Sequence, residues 1–116
     1  RCPVGKEERS SAMDCLDYLK NMVENSHSGI PLPAAIIVEP IQGEGGNIPA
    51  KKEYLEKVIE LARKHGIVTI YDEIQAGFFR SGQFLSFMNA GVAPDIITVS
   101  KGFGGIGMPI AGLIYR

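Results

Sequence analysis

Four short apolar runs carry most of the hydrophobic pattern, and each is bounded by glycine, proline or charge. Ala34-Ala35-Ile36-Ile37-Val38-Glu39 is a strand that ends in an acid, with Pro40 stopping its ladder. Ile67-Val68-Thr69-Ile70-Tyr71 is β-branched almost throughout and stops at Asp72-Glu73. Asp95-Ile96-Ile97-Thr98-Val99-Ser100 is a third strand, and Lys101 stands directly beyond it. Pro109 to Tyr115 reads as a fourth. Near-continuous apolar strands of this kind are what a sheet covered on both faces requires.

Two stretches change period. Met13, Leu16, Leu19, Met22 and Val23 recur at three- and four-residue spacing, so a helix is expected over 10–25, with Ser10 or Ser11 as its N-cap. Tyr54, Leu55, Val58, Ile59, Leu61 and Ala62 mark the buried side of a second helix, Pro49 to His65, closed by Gly66 at C′. The Met13–Val23 stripe reads as core packing. Residues 76–93 read as loop with a helical turn or two near Phe84–Asn89. The link between the third and fourth strands has no room for a crossover helix, so the last strand returns antiparallel. The fold class is α/β, a mostly parallel sheet with a final antiparallel strand. Residues 1–116 contain no internal repeat and no domain boundary, and form one unit.

Composition narrows the partners. The chain has 116 residues, 22% of them charged, with a net charge of -1 and no basic block, which gives no electrostatic reason to expect nucleic acid or a membrane surface as partner. No run approaches the roughly 20 apolar residues that cross a bilayer as a helix, and no secretory signal is visible. Cys2 and Cys15 make neither a disulfide framework nor a metal-ligand spacing; thiols in a reducing, cytoplasmic setting are expected, and no metal. A start at Arg1-Cys2-Pro3 and an apolar end at Ile114-Tyr115-Arg116 read as a piece of a longer protein.

Candidate chemistry concentrates at strand ends. Three strands end in Glu39, Asp72 and Ser100-Lys101, and the fourteen glycines cluster at 43–46 and 102–107. If those strands are parallel neighbours, one sheet edge carries two acids, a lysine and two glycine-rich loops, where open α/β sheets place their chemistry. The pattern Gly-x-x-x-x-Gly-Lys-Ser/Thr is absent, and Gly-x-Gly-x-x-Gly opening a crossover helix is absent too, so nucleotide binding is disfavoured. A lysine at a strand end with an acid on the adjacent strand suits pyridoxal phosphate: the amine forms a Schiff base with the aldehyde, and the acid keeps the pyridine nitrogen protonated.

Five motifs occur in one order: Glu39-Pro40-Ile41-Gln42-Gly43-Glu44-Gly45-Gly46, Asp72-Glu73-Ile74-Gln75-Ala76-Gly77, Arg80-Ser81-Gly82, Pro94-Asp95-Ile96 and Ser100-Lys101-Gly102. Together they resemble the large, cofactor-binding domain of a class III (ω-type) aminotransferase, a fold-type-I pyridoxal phosphate enzyme. The resemblance covers roughly 34–116, with looser support before it. It implies that Lys101 is the Schiff-base lysine and proton shuttle, and that Asp72 pairs with the pyridine nitrogen. It further implies that Ile74 packs on the ring, that Gln75 bonds the ring's phenolic oxygen, and that Glu39 belongs to the surrounding polar network. Glu44 matches a gating glutamate that pairs with a substrate arginine and moves aside for an α-carboxylate. The phosphate loop, the small domain and that arginine would lie outside these residues, and the whole enzyme would be a homodimer.

The implied reaction moves an amino group from an amine or a diamino or ω-amino acid to a 2-oxo acid, 2-oxoglutarate or pyruvate. A racemase, decarboxylase or phospho-lyase on the same scaffold would share Lys101 and Asp72. An inactive fragment serving as an interaction module is the alternative from a different class. The residues have plainer readings: Ile74 as core, Glu44 as a solvated loop acid, Glu73 as a hydrogen-bonding structural group, Arg80 as a loop brace. Two departures from the family's common form, Ala76 for threonine and Phe79 for glycine, are expected to alter their loop. The run 102–109 is one residue longer than usual and is similar to diaminobutyrate-type members, which points towards a diamino substrate.

Overall fold

In a computed structural model, residues 12–105 and 107–116 are described. The elements run α1 (Ala12–Glu24), β1 (Ala35–Val38), β2 (Ile41–Gln42), β3 (Ile48–Pro49), α2 (Lys52–Lys64), β4 (Val68–Asp72), β5 (Ile96–Val99) and β6 (Gly112–Tyr115). Short 3-10 turns cover Ser86–Asn89 and Lys101–Gly104. The main sheet has the order β1-β4-β5-β6. β4 lies parallel to both β1 and β5, and β6 returns antiparallel to β5. Three strands therefore deliver their carboxyl ends to one edge, as the sequence pattern requires, and the final strand is antiparallel.

The central strands are joined at their base by one acid. Asp95 Oδ2 accepts from Thr69 N at 2.9 Å and from Thr69 Oγ1 at 2.6 Å, while Asp95 N donates back to Thr69 O at 3.0 Å. Those bonds from Thr69 hold the Asp95 carboxyl below the usual carboxylate range. The clamp fixes the register that pairs Asp72 with Thr98.

Helix α2 begins at Lys52, three residues after Pro49, because Pro49 is taken up by a two-strand hairpin in which Ile41 pairs Pro49 and Gln42 pairs Ile48. At its other end Gly66 takes φ +67. Gly66 N donates to Arg63 O and Ile67 N reaches back to Ala62 O at 2.8 Å. This is a Schellman closure, and it turns the chain directly into β4. Leu55 and Ile59 of α2 pack on Tyr71, with Val38 and Phe87 around them. Leu85, Ile97 and Val99 form a second cluster. Helix α1 packs against α2. Leu16 is buried, Leu19, Met22 and Val23 are half-buried, and Ser10 and Ser11 lie outside the described residues.

Only one face of the sheet is covered among the described residues. Alternation sends Thr69, Tyr71, Ile97 and Val99 to the α2 side, where all four are buried. The paired residues Ile37, Ile70, Ile96 and Tyr115 share the opposite side. There Ile37 is 67% exposed, Leu113 67% and Tyr115 78%. The apolar runs predict cover on both faces; among the described residues the second face is apolar and open. No helix among the described residues is long and apolar enough to cross a membrane.

Candidate active site at the strand ends

The three strand ends meet through a short series of contacts. Glu39 follows β1, and its Oε2 accepts from Gly43 N at 2.9 Å across the tight turn into β2. Gly43 lies against the Gln75 side chain: a Cβ there would stand 2.6 Å from Gln75 Cδ and Nε2. Gln75 Oε1 in turn accepts from Lys101 Nζ at 2.5 Å. So Glu39, Gln75 and Lys101, from β1, β4 and β5, occupy one neighbourhood, with Gly43 between the first two. Glu44 is on the same loop and exposed.

Asp72 ends β4 opposite Thr98 of β5, three residues before Lys101. Its Oδ1 accepts from Ile74 N at 2.9 Å. Asp72 is therefore a turn-former, as an acid at a strand end commonly is. One oxygen is left, and Oδ2 takes no hydrogen bond among the described residues. By strand alternation Asp72 sits on the open face. Beside it in register, Thr98 Oγ1 is buried without a hydrogen-bond partner. Ile74 is half-buried, which suits both core packing and contact with a flat ring.

Lys101 has φ +41, in the left-handed region, and is exposed. Such a conformation in a non-glycine residue costs about 1–2 kcal/mol, a strain that marks functional positions more often than plain loops. Phe78 and Phe79 are left-handed as well, at φ 55 and 66. Their loop closes over the start of the Lys101 turn: a Cβ on Gly102 would stand 3.0 Å from Phe78 Cβ and 3.6 Å from Arg80 Nε. Phe79 carries the backbone strain of that left-handed conformation. Its ring stacks edge-on against Phe84, at 5.6 Å between centroids. Arg80 Nη1 donates to Gln75 O at 3.3 Å, so it braces the segment that carries Gln75.

Glu73 is fully buried but faces away from this cluster. Its two carboxylate oxygens accept from Ser86 N at 2.9 Å and Phe87 N at 2.8 Å, capping the first 3-10 turn. The neighbouring Tyr71 hydroxyl is pushed up to about 12, mainly by burial and then by the Glu73 charge. Sequence reasoning gave Glu73 a structural part of this kind. It missed the Asp95–Thr69 clamp and the β2–β3 hairpin. The Pro94-Asp95-Ile96 motif was the available signal for the clamp.

A cavity of about 310 Å³ opens elsewhere, between Pro40, Ile41, Lys52, Leu55, Ser86 and Asn89. It touches none of Lys101, Asp72, Gln75 or Ile74, so its size is no argument against the strand-end cluster. Among the described residues no group of three or more histidine, cysteine or acidic side chains could hold a metal ion.

The donor set fits pyridoxal phosphate at its ring end. It contains an amine able to condense with an aldehyde, a carboxylate with one oxygen unengaged beside an unpartnered hydroxyl, and an amide able to bond a phenolic oxygen.

Comparisons with known proteins identify the family and the fold. A family model described as aminotransferase class-III matches residues 2–116. The chain is 47% identical over 116 residues to a diaminobutyrate–2-oxoglutarate aminotransferase of Haemophilus influenzae, covering 100% of this chain and 25% of that protein. It is 45% identical over 107 residues to a diaminobutyrate–2-oxoglutarate transaminase of Halalkalibacterium halodurans, covering 92% and 25%. Among solved structures, a transaminase from the marine bacterium Virgibacillus superposes with a TM-score of 0.82 at 29% identity, over 92% of this chain and 24% of that one. The ornithine aminotransferase of Plasmodium yoelii gives 0.75 at 32% identity, over 87% and 26%. The chain thus spans about a quarter of the length of the curated relatives it matches.

Proposed function

Since the chain belongs to the class III aminotransferase family, we propose that it is the cofactor-holding core of a pyridoxal phosphate enzyme that moves the terminal amino group of a diamino acid to 2-oxoglutarate. Residues 1–116 then form one part of the large domain, the rest of which lies beyond them. The diamino donor is supported by the names of two relatives, one acting on diaminobutyrate and one on ornithine. It is also supported by the long glycine run after Lys101. The acceptor rests on the 2-oxoglutarate in the bacterial relatives' names; pyruvate is the other acceptor to test. A homodimeric, cytoplasmic protein belongs to the same proposal, supported by the family resemblance and by cysteine usage.

The observation that carries the reading is that Lys101 Nζ rests on Gln75 Oε1, at the end of the strand beside the one that Asp72 terminates. Lys101 would hold the cofactor covalently, Asp72 would pair with its ring nitrogen, Ile74 would lie on a ring face, and Gln75 and Glu39 would line the ring's polar side. Bound there, the cofactor would supply an electron sink for the pair left when the C–H bond breaks at the carbon bearing the transferred amino group. Asp72, fixed by Ile74 N, would be the acid that pairs with the ring nitrogen and favours its protonated form. With the cofactor bound, Lys101 would take the proton from the amine-bearing substrate carbon and return it two bonds away, on the far side of the amino nitrogen. Gln75 gives the Lys101 amine a resting place. Glu44 would exchange an arginine partner for solvent when a 2-oxo dicarboxylate enters.

The test is donor-dependent transfer by the full-length protein. Incubation with 2,4-diaminobutyrate and 2-oxoglutarate should yield glutamate, with ornithine slower and simple monoamines slower still. Turnover of the donor that needs no 2-oxo acid would place the chemistry in racemisation, decarboxylation or phospho-elimination instead. No turnover of any amine, with or without added cofactor, would leave an interaction module.

A further inference from the structure

We propose that Glu39 and Gly43 are positioning residues that set where the Lys101 amine rests, acting through Gln75. The inference rests on the reading above only in taking Lys101 as the reacting amine.

Gly43 is held on both sides of its Cα. Its N–H is bound by Glu39 Oε2 at 2.9 Å, and its carbonyl accepts from Gly46 N at 3.0 Å and Asn47 N at 3.2 Å. The β2–β3 pairing and the Ala50 N to Pro40 O bond of 2.8 Å close the hairpin around it. That fixed backbone presses on one side chain. A Cβ on Gly43 would meet Gln75 at Cδ, Nε2 and Cγ, at 2.6, 2.6 and 2.9 Å. The contact confines the Gln75 amide from one side, and its Oε1 meets Lys101 Nζ on the other.

Three features favour positioning over a plain loop glycine. Gly43 is not among the glycines with positive φ, unlike Gly46 in the same turn, so the backbone there does not itself demand glycine. The three atoms nearest to such a Cβ all belong to Gln75, the residue that holds the lysine. Those atoms are mostly the far end of a flexible chain, so alanine would displace Gln75 at small cost to the fold while moving its Oε1. Glu39 is exposed and gains little from burial; the Gly43 N–H is its hydrogen bond among the described residues.

The test uses the full chain, prepared without added cofactor, and follows the acylation rate of Lys101 by peptide mass spectrometry against the other lysines as internal references. An amine held as a donor attacks a reagent less freely than one released to solvent. Losing one such bond should therefore speed Lys101 labelling by about three- to tenfold. Gly43→Ala and Gln75→Ala should each do this with little change in melting temperature. In a Gln75→Ala background, Gly43→Ala should add nothing further, since its effect passes through the missing amide. Glu39→Ala should mimic them partly, and Glu39→Gln, which keeps an acceptor for Gly43 N, should restore the normal rate. An undiminished Gly43→Ala effect in the Gln75→Ala background overturns the proposal, and so does an unchanged Lys101 rate in the single variants. Labelling is read without cofactor or turnover. Failure here is thus separable from failure of the aminotransferase reading, which covalent attachment and amino transfer test.

Discussion

At the scale of single residues, the two acids that end β4 divide the work by where they point. Asp72 faces the open side with one oxygen unengaged, while Glu73 is buried and spends both oxygens on backbone N–H groups. Removing Glu73 leaves two donors unpaired, each worth about 1–3 kcal/mol if buried. Glu73→Ala should lower the denaturation midpoint clearly, and Glu73→Gln, which keeps one acceptor, should lower it less. Asp72→Asn should do the reverse: little loss of stability, but a fall in kcat of roughly 10²–10³ as the ring nitrogen loses its charged partner. Steady-state kinetics beside a urea melt separate the two. The chemistry of strand-end residues singles out Lys101 and Asp72 in the sequence, the family resemblance adds Gln75, and the structure brings Lys101 and Gln75 into contact. The contact between Lys101 and Gln75 was not legible, since it depends on a left-handed backbone at Lys101 and a lysine has no sequence signature for that.

At the scale of elements, the strands were legible where β-branched runs meet abrupt polar stops. The ends of the three parallel strands moved by a residue, because ladder bonds stop before the apolar pattern does: the run from Asp95 to Ser100 pairs only over Ile96–Val99. The last strand, expected from Pro109, begins three residues later, at Gly112. The β2–β3 hairpin was invisible, since strands of two residues carry no periodicity. The α1–α2 contact has a charge link that periodicity cannot reveal. Glu24 Oε1 meets Lys64 Nζ at 2.6 Å and His65 Nε2 at 3.1 Å, and these partners, Lys64 first, lower its pKa from 4.5 to about 2. A depressed carboxyl stabilises the folded state above its ordinary pKa and loses that contribution as pH falls through the folded value. Helix docking should therefore weaken between about pH 4.5 and pH 2, the interval of that shift. Glu24→Gln should flatten the melting temperature over that window; an equally steep fall in the variant would place the acid sensitivity elsewhere. The group is solvent-accessible, so the effect should be small and should shrink with salt.

At the scale of the molecule, the sheet's second face decides how these residues behave alone. Ile37, Leu113 and Tyr115 form an exposed apolar face, and β1 and β6 are the edges of the sheet. A flat apolar face with unpaired edges associates. Residues 1–116 expressed by themselves should elute as oligomers or aggregate and retain the cofactor weakly, while Ile37→Lys with Leu113→Lys should shift the elution towards monomer. A soluble, cooperatively melting monomer with tight cofactor binding would show that the open face needs no cover. The fold class was legible at this scale because the link after Lys101 is too short for a crossover helix. The uncovered face was not, since a buried strand and one awaiting cover read alike in sequence. The central claim remains the juxtaposition of Lys101 with the acid of the neighbouring strand, and one measurement addresses it directly. The full-length protein is loaded with pyridoxal phosphate, reduced with borohydride and mapped by peptide mass spectrometry. The reduced cofactor should appear on the peptide carrying Lys101 and disappear in Lys101→Ala. Cofactor mass on another lysine, or on none, would contradict the account.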